Sequence, residues 1–149
     1  MKMTLIPKEH VSKIWNKVSE YLERAVDAQD KKRYDAVDLF EECISGRQIL
    51  WIVFDDENDN KVMATVTTSS ISYPQYSTLS VLFVGGSEFM KYLDLIVDVL
   101  SRFSRDNGFT SIEMHGREVW GRVCRKHGFN RAYSVFELDL TENKKMAAE

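Results

Sequence analysis

The chain has 149 residues, 44% of them hydrophobic and 29% charged, with 7 Gly, 2 Pro and a formal charge of -3 at pH 7. A chain of this size buries roughly two-thirds of the surface its unfolded form exposes, so it needs neither a disulfide nor a metal to hold a core, and the composition excludes disorder and low complexity. Cys43 and Cys124 show no CxxC or Cys/His spacing, which argues against a metal site and a secreted disulfide framework and points to a reducing, cytoplasmic setting.

The N-terminal stretch lacks the apolar core of a signal peptide. The longest apolar runs, Ile49 to Phe54 and Val81 to Val84, are far too short to cross a bilayer, so no membrane partner is expected. A slightly acidic chain is also a poor general partner for nucleic acid. No repeat, linker or composition break divides the chain. It reads as one domain over residues 1–140 with a polar tail over 141–149.

Pro7 suits a first helical turn, and Val11, Ile14, Trp15, Val18, Tyr21, Leu22, Ala25 and Val26 recur at the spacing of a long amphipathic helix. Asp35 is placed to cap a second helix bearing Val37, Phe40, Cys43 and Ile44, which stops at Gly46. Ile49 to Phe54 reads as a strand, joined by a polar turn over Asp55 to Asn60 to a second strand alternating through Val62, Ala64, Val66 and Thr68. A connection holding Tyr73 and Pro74 leads to a third strand, Leu79 to Val84, ending at Gly85-Gly86-Ser87. Ser87 is placed to cap a helix with Phe89, Leu93, Ile96, Val97, Leu100 and Phe103 on one face, stopping near Asn107-Gly108.

Ser111 to His115 follows as a short strand. A short helix over Arg117 to Lys126 comes next, with Val119, Trp120 and Val123 inward and Gly128 at its end, and then a final strand, Ala132 to Leu140. The order ααβββαβαβ specifies an α+β (mixed α/β) domain, with a central mixed sheet flanked by helices.

This order, with Arg125-Lys126-His127-Gly128-Phe129 before the last strand, resembles the GNAT acyltransferase superfamily from about Leu5 to Leu140. The run His115-Gly116-Arg117, followed by Trp120 and Gly128-Phe129, is similar to the divergent GNAT-like proteins of tailed bacteriophages. The resemblance implies a GNAT-like fold, acetyl-CoA as cofactor and transfer of an acetyl group to an amine. For a phage-encoded protein it implies the host cytoplasm or the virion as its location.

In that family a glycine-rich turn and a helix start hold the coenzyme pyrophosphate, because orphan amides and the helix dipole favour an anion there. The segment matching the family's loop reads Phe89-Met90-Lys91-Tyr92-Leu93-Asp94 and contains none of its glycines, so that motif is degenerate here. Val84, Gly85, Gly86 and Ser87 supply a shorter candidate nest, or a plain turn and cap. The family's acid, which protonates the departing thiolate, falls on Cys124. This residue is a thiol donor if its pKa is ordinary, a thiolate if Arg125 and Lys126 dominate, or simply a small buried side chain.

An attacking amine also needs a base within hydrogen-bond reach. Glu113 and His115 share one strand face by alternation and are the candidates, the alternative being an ordinary solvated face.

From Gly116 to Arg131 there are five basic residues and one acidic, a local +4 that leaves -7 for the rest of the chain. Arg122, Arg125 and Lys126 lie three and four positions apart, as a coenzyme phosphate, an acidic protein partner or a solvated helix face would each have them. The residues therefore carry two functional expectations: an acetyl-CoA-dependent N-acetyltransferase, or a catalytically silent GNAT-fold binding or virion-associated accessory protein.

Overall fold

The fold is described from a computed structural model that covers residues 1–29, 32–86, 88–116 and 118–141, with the side chains of Phe89, Glu118, Val119 and Trp120 left out of account. The chain divides into two compact units, Met1–His115 and Gly116–Glu149, described in turn.

The first unit opens with β1 (Lys2–Ile6), a strand that the sequence reading passed over. It pairs antiparallel with β2, Leu5 opposite Trp51 and Met3 opposite Val53. A 3-10 turn over Lys8–His10 then leads into α1 (Val11–Asp27), where Val11, Val18, Leu22 and Val26 form the buried stripe that the spacing predicts. Helix α2 (Ala36–Ser45) starts at the expected cap. Asp35 accepts from the Asp38 amide at 2.8 Å, and Asp38 accepts from the Asp35 amide at 3.0 Å, so two otherwise orphan donors are satisfied reciprocally. The inward face of α2 is Leu39 and Cys43. Phe40 packs against the same core, whereas Val37 and Ile44, also expected on the helix's apolar face, are exposed, because the buried stripe runs through Leu39, Phe40 and Cys43.

Strands β2 (Ile49–Asp55), β3 (Lys61–Ser72) and β4 (Ser77–Gly86) form an antiparallel meander. Strand β5 (Ser111–Met114) joins β4 in parallel, giving the order β1-β2-β3-β4-β5. Helix α3 (Leu93–Asp106) makes the crossover between these two strands. One sheet face packs Leu50, Ile52 and Phe83 against α1 and α2 through Val18, Leu22 and Leu39. The other packs Trp51, Val53, Ala64, Val66, Leu79 and Val81 against Ile96 and Leu100 of α3. These two apolar layers bury the large side chains that hold the sheet, each worth about 1.5–3 kcal/mol of transfer free energy.

Helix α3 begins later than expected. Glu88 has φ 59 and ψ 33, a left-handed conformation that cannot continue into a right-handed helix, so the chain passes through a 3-10 turn, Phe89–Tyr92, before α3 starts at Leu93. The cap expected at Ser87 lies outside the described residues.

In the second unit, α4 (Glu118–Lys126) ends at Gly128 as expected. Gly128 has φ 89; its amide donates to Arg125 O at 3.1 Å and the Phe129 amide to Cys124 O at 3.1 Å, closing the helix in a Schellman motif. The expected final strand does not form: residues 129–139 have no regular secondary structure, and Phe136 and Leu138 are largely exposed. Alternation of apolar residues suits a strand, but a strand also needs a ladder partner, and among the described residues none pairs with this segment. The fold class stands as expected, a mixed five-stranded sheet with four α-helices. Its order differs at both ends, with a strand added before α1 and, among the described residues, none after α4.

Candidate functional site

On the α1–α2 face of the sheet Leu50, Ile52 and Phe83 are apolar, the central strand β3 contributes the buried Thr65 and Thr67, and polar side chains continue across β4 and β5. Ser80 lies between Leu79 and Val81, both of which belong to the α3 layer, so its hydroxyl points to the opposite face. Glu113, between Ile112 and Met114, does the same one strand further on, and the parallel ladder sets Ser80 beside Glu113. His115 follows immediately after β5. Its Nδ1 is 3.4 Å from Ser80 Oγ and its Nε2 is 3.9 Å from Glu113 Oε2.

Ser80 is fully buried, the Glu113 side chain is 14% exposed and that of His115 is 47% exposed, so the group runs from the interior to the surface. Glu113 Oε2 is buried and has no hydrogen-bond partner. The structure thus brings together the two candidate bases and adds a hydroxyl that sequence reasoning missed. The signal was present: Ser80 interrupts an otherwise apolar strand, and on β4 alternation puts it on the face opposite Leu79 and Val81.

The neighbouring row on the same face is closed. Thr78 Oγ1 donates to Ser111 O at 3.0 Å, and Ser111 Oγ donates to Thr78 Oγ1 at 2.8 Å.

The end of β4 is the second part of the candidate site. The ladder to β5 joins Thr78–Val81 to Ser111–Met114 and goes no further among the described residues, while β4 runs on to Gly86 paired to β3 alone. Val84, Gly85 and Gly86 are strand residues rather than a loop. A Cβ on Gly85 would stand 2.5 Å from Tyr21 O of α1, and one on Gly86, whose φ is 142, would stand 2.6 Å from Met63 O. Both glycines are therefore required by close approach of α1 and β3 to this strand. Beyond them, Glu88 and Lys91 form an exposed ion pair at 2.8 Å.

In the second unit, Arg122, Arg125 and Lys126 are exposed along α4, and Cys124 is half-buried on the same helix. Burial pushes the Cys124 thiol up from its ordinary value, which holds it protonated near neutral pH. The thiolate alternative loses ground accordingly. Val119 and Trp120 were expected to pack inward, and their side chains lie outside the described set. Among the described residues, no three His, Cys, Asp or Glu side chains stand together as a metal site, and no helix is long and apolar enough to cross a membrane.

No protein-family model and no curated protein matches the chain. Solved structures do. A probable acetyltransferase is similar at a TM-score of 0.71 and 11% identity, over 95% of this chain and 99% of that one. A predicted acetyltransferase of Clostridium acetobutylicum, crystallised with acetyl-CoA, is similar at 0.66 and 13%, over 94% and 96%. A GNAT family acetyltransferase of Staphylococcus aureus is similar at 0.64 and 16%, over 94% and 100%. At these identities the likeness is one of fold: the chain has the fold of GNAT acetyltransferases.

Proposed function

We propose that this protein is an acetyl-CoA-dependent N-acyltransferase whose acceptor amine is deprotonated at His115 and Glu113. The observation that carries the reading is the edge of β4 beyond Val81, which has no second ladder partner among the described residues, next to a His–carboxylate pair, on a fold shared with acetyltransferases. An unladdered strand edge offers alternating amides and carbonyls to an extended ligand that carries amides of its own, as the pantetheine arm does. Leu82 to Val84 are the strand residues that would face such a ligand. At Gly85 and Gly86 the space left by the missing side chains is already used by Tyr21 and Met63, so these glycines would contribute backbone groups rather than a cradle. Ser87 belongs to the same proposed stretch.

Acetyl-CoA, when bound, supplies the thioester at which an N–C bond forms as the C–S bond breaks. His115 takes the proton that the amine loses. Glu113 holds the amine as its ammonium form arrives: a nitrogen about 2.8 Å from each of two acceptors that are 3.9 Å apart makes two ordinary hydrogen bonds. Cys124, in the second unit, is the proton source for the departing thiolate on the resemblance alone; burial pushes its thiol up. Arg122, Arg125 and Lys126 supply positive charge for the coenzyme phosphates, or for an acidic protein partner.

A second reading has one observation in its favour. The packing demand on Gly85 and Gly86, together with the left-handed Glu88 and the 3-10 turn where the family has its loop, suits a GNAT-fold binding protein without catalysis. A bacteriophage accessory protein carried in the virion would be of this kind.

Thermal melting with added acetyl-CoA separates the two. Coenzyme at 100 times its Kd should stabilise the fold by about 2.7 kcal/mol, and charge reversal of Arg122, Arg125 and Lys126 should weaken that binding in a salt-dependent way, most at low salt where the charges are least screened. A melting temperature indifferent to millimolar coenzyme removes the enzyme reading and leaves the binding protein.

A further inference from the structure

We propose that the α1–α2 layer contains a binding site for one ordered water molecule, held between the carboxamide of Gln48 and the hydroxyl of Thr67. The proposal does not rest on the acyltransferase reading.

Gln48 lies in the connection from α2 to β2, and its amide donates to Glu42 O at 3.1 Å, which ties it to the end of the helix. The β2–β3 register sets Leu50 opposite Thr67 and Ile49 opposite Thr68. Continued by one residue it brings Gln48 beside Ser69, and Ser69 Oγ donates to Arg47 O at 3.1 Å across the same gap. Leu50 belongs to the α1–α2 layer, and alternation puts Gln48, Thr67 and Ser69 on that face with it. Gln48 and Thr67 are then diagonal neighbours with Cα atoms about 7–8 Å apart, a separation that a carboxamide, one water and a hydroxyl can span.

Both side chains are sealed from bulk solvent. Gln48 is 2% exposed and Thr67 is fully buried, yet among the described residues nothing hydrogen-bonds to Nε2 or Oε1 of Gln48 or to Oγ1 of Thr67. A carboxamide brings two donors and an acceptor and a hydroxyl brings one donor and two acceptors, so the patch concentrates hydrogen-bonding capacity that is unfavourable to keep dry. The other face of β3 shows what happens where the protein supplies the partner itself. There Thr68 Oγ1 accepts from Trp51 Nε1 at 2.9 Å.

Internal waters occupy places of this kind, making about three hydrogen bonds to buried groups that nothing else satisfies. Gln48 and Thr67 supply two of them. Ser69 Oγ, whose own proton goes to Arg47 O, can accept the third. All three side chains are neutral, so the site suits a small neutral molecule that both donates and accepts, and not an ion. Thr65 is also buried without a partner, but it lies four residues along β3 from Ser69, about 13 Å away, and cannot share this water.

A crystal structure of the full-length protein, at a resolution that shows ordered solvent, reads the site directly. The expected result is a solvent peak within hydrogen-bonding distance of both the Gln48 carboxamide and Thr67 Oγ1. No peak there, or a Gln48 side chain bonded directly to Thr67 or to another protein group, overturns the proposal.

Urea unfolding forms the second arm, with Gln48→Met and Thr67→Val, which remove the polar groups and keep roughly the side-chain volume. A bridging water predicts that each lowers the urea midpoint, because the group left behind loses its partner, and that the double variant lowers it by less than the sum of the two. A midpoint that holds or rises in either single variant marks a dry, unsatisfied pair, and strict additivity marks two unconnected groups; both results overturn the proposal.

Discussion

Two rows of polar residues cross from β4 to β5 on the same face of the sheet, two residues apart, and they are built to different standards. In the first, Thr78 and Ser111 satisfy each other through bonds of 2.8 and 3.0 Å. In the second, Ser80, Glu113 and His115 approach only to 3.4 and 3.9 Å, and a buried carboxylate oxygen is left without a partner. A buried polar group without its hydrogen bond costs about 1–3 kcal/mol. The first row therefore behaves as part of the framework. The second leaves an oxygen unpartnered, as Gln48, Thr65, Thr67 and Ser104 also do, but here the group is a carboxylate that faces a half-exposed imidazole.

The largest stability effect is expected in the closed row. Thr78→Val keeps the shape of the side chain but removes its hydrogen bonds to Ser111, whose own hydroxyl is exposed to water, and should destabilise by about 0.5–1.5 kcal/mol. For a chain of this length that is a fall in melting temperature of roughly 2–4 °C per kcal/mol. Amine acetylation per folded molecule should be unchanged. In the open row the order reverses. Glu113→Gln replaces a buried carboxylate by a neutral amide and should leave stability unchanged or raise it, while kcat/KM for the amine falls at least about tenfold, the equivalent of 1.4 kcal/mol of transition-state binding. If urea melts show Glu113→Gln to be as costly as Thr78→Val, the two rows are both structural and the distinction between them collapses.

Much of this was legible beforehand, for identifiable reasons. Asp35 and Gly46 bound α2 where capping chemistry puts its ends, and the buried stripe of α1 follows from spacing alone. Alternation placed Glu113 and His115 together, but it could not measure the 3.9 Å between them or bring Ser80 from a strand 33 positions earlier in sequence than Glu113; register did that.

Other signals were ambiguous in kind. Gly-Phe after α4 entered the resemblance as a family pattern, yet α3 ends in the same way. The Gly108 amide donates to Arg105 O and the Phe109 amide to Ser104 O, repeating the pair of bonds that Gly128 and Phe129 make. The dipeptide is first a helix terminator, with glycine taking the left-handed position. Gly85 and Gly86 likewise read as a turn after the strand, because sequence cannot show that they continue β4 with Tyr21 and Met63 pressed against them. The strand expected over Ala132 to Leu140 failed because periodicity reports a side chain's face and is silent about a ladder partner.

The smallest expected effect is the most discriminating between the rows. Ser80 and Glu113 both face the His115 ring, from Nδ1 and Nε2 respectively, so substitutions at the two positions act on one group. In a double-mutant cycle, Ser80→Ala and Glu113→Gln should therefore be non-additive in amine turnover, with an interaction of about 0.5–1 kcal/mol, because a ring that has already lost its orientation gains less from the carboxylate. Thr78→Val combined with Glu113→Gln should add to within about 0.3–0.5 kcal/mol, since Thr78 is paired to Ser111 and not to the ring. Additivity in both cycles would mean that Ser80 and Glu113 act separately, and His115 would then be no more than the nearest base. Coupling confined to the first cycle would tie the hydroxyl, the ring and the carboxylate into one device, set beside a closed row that serves only the sheet.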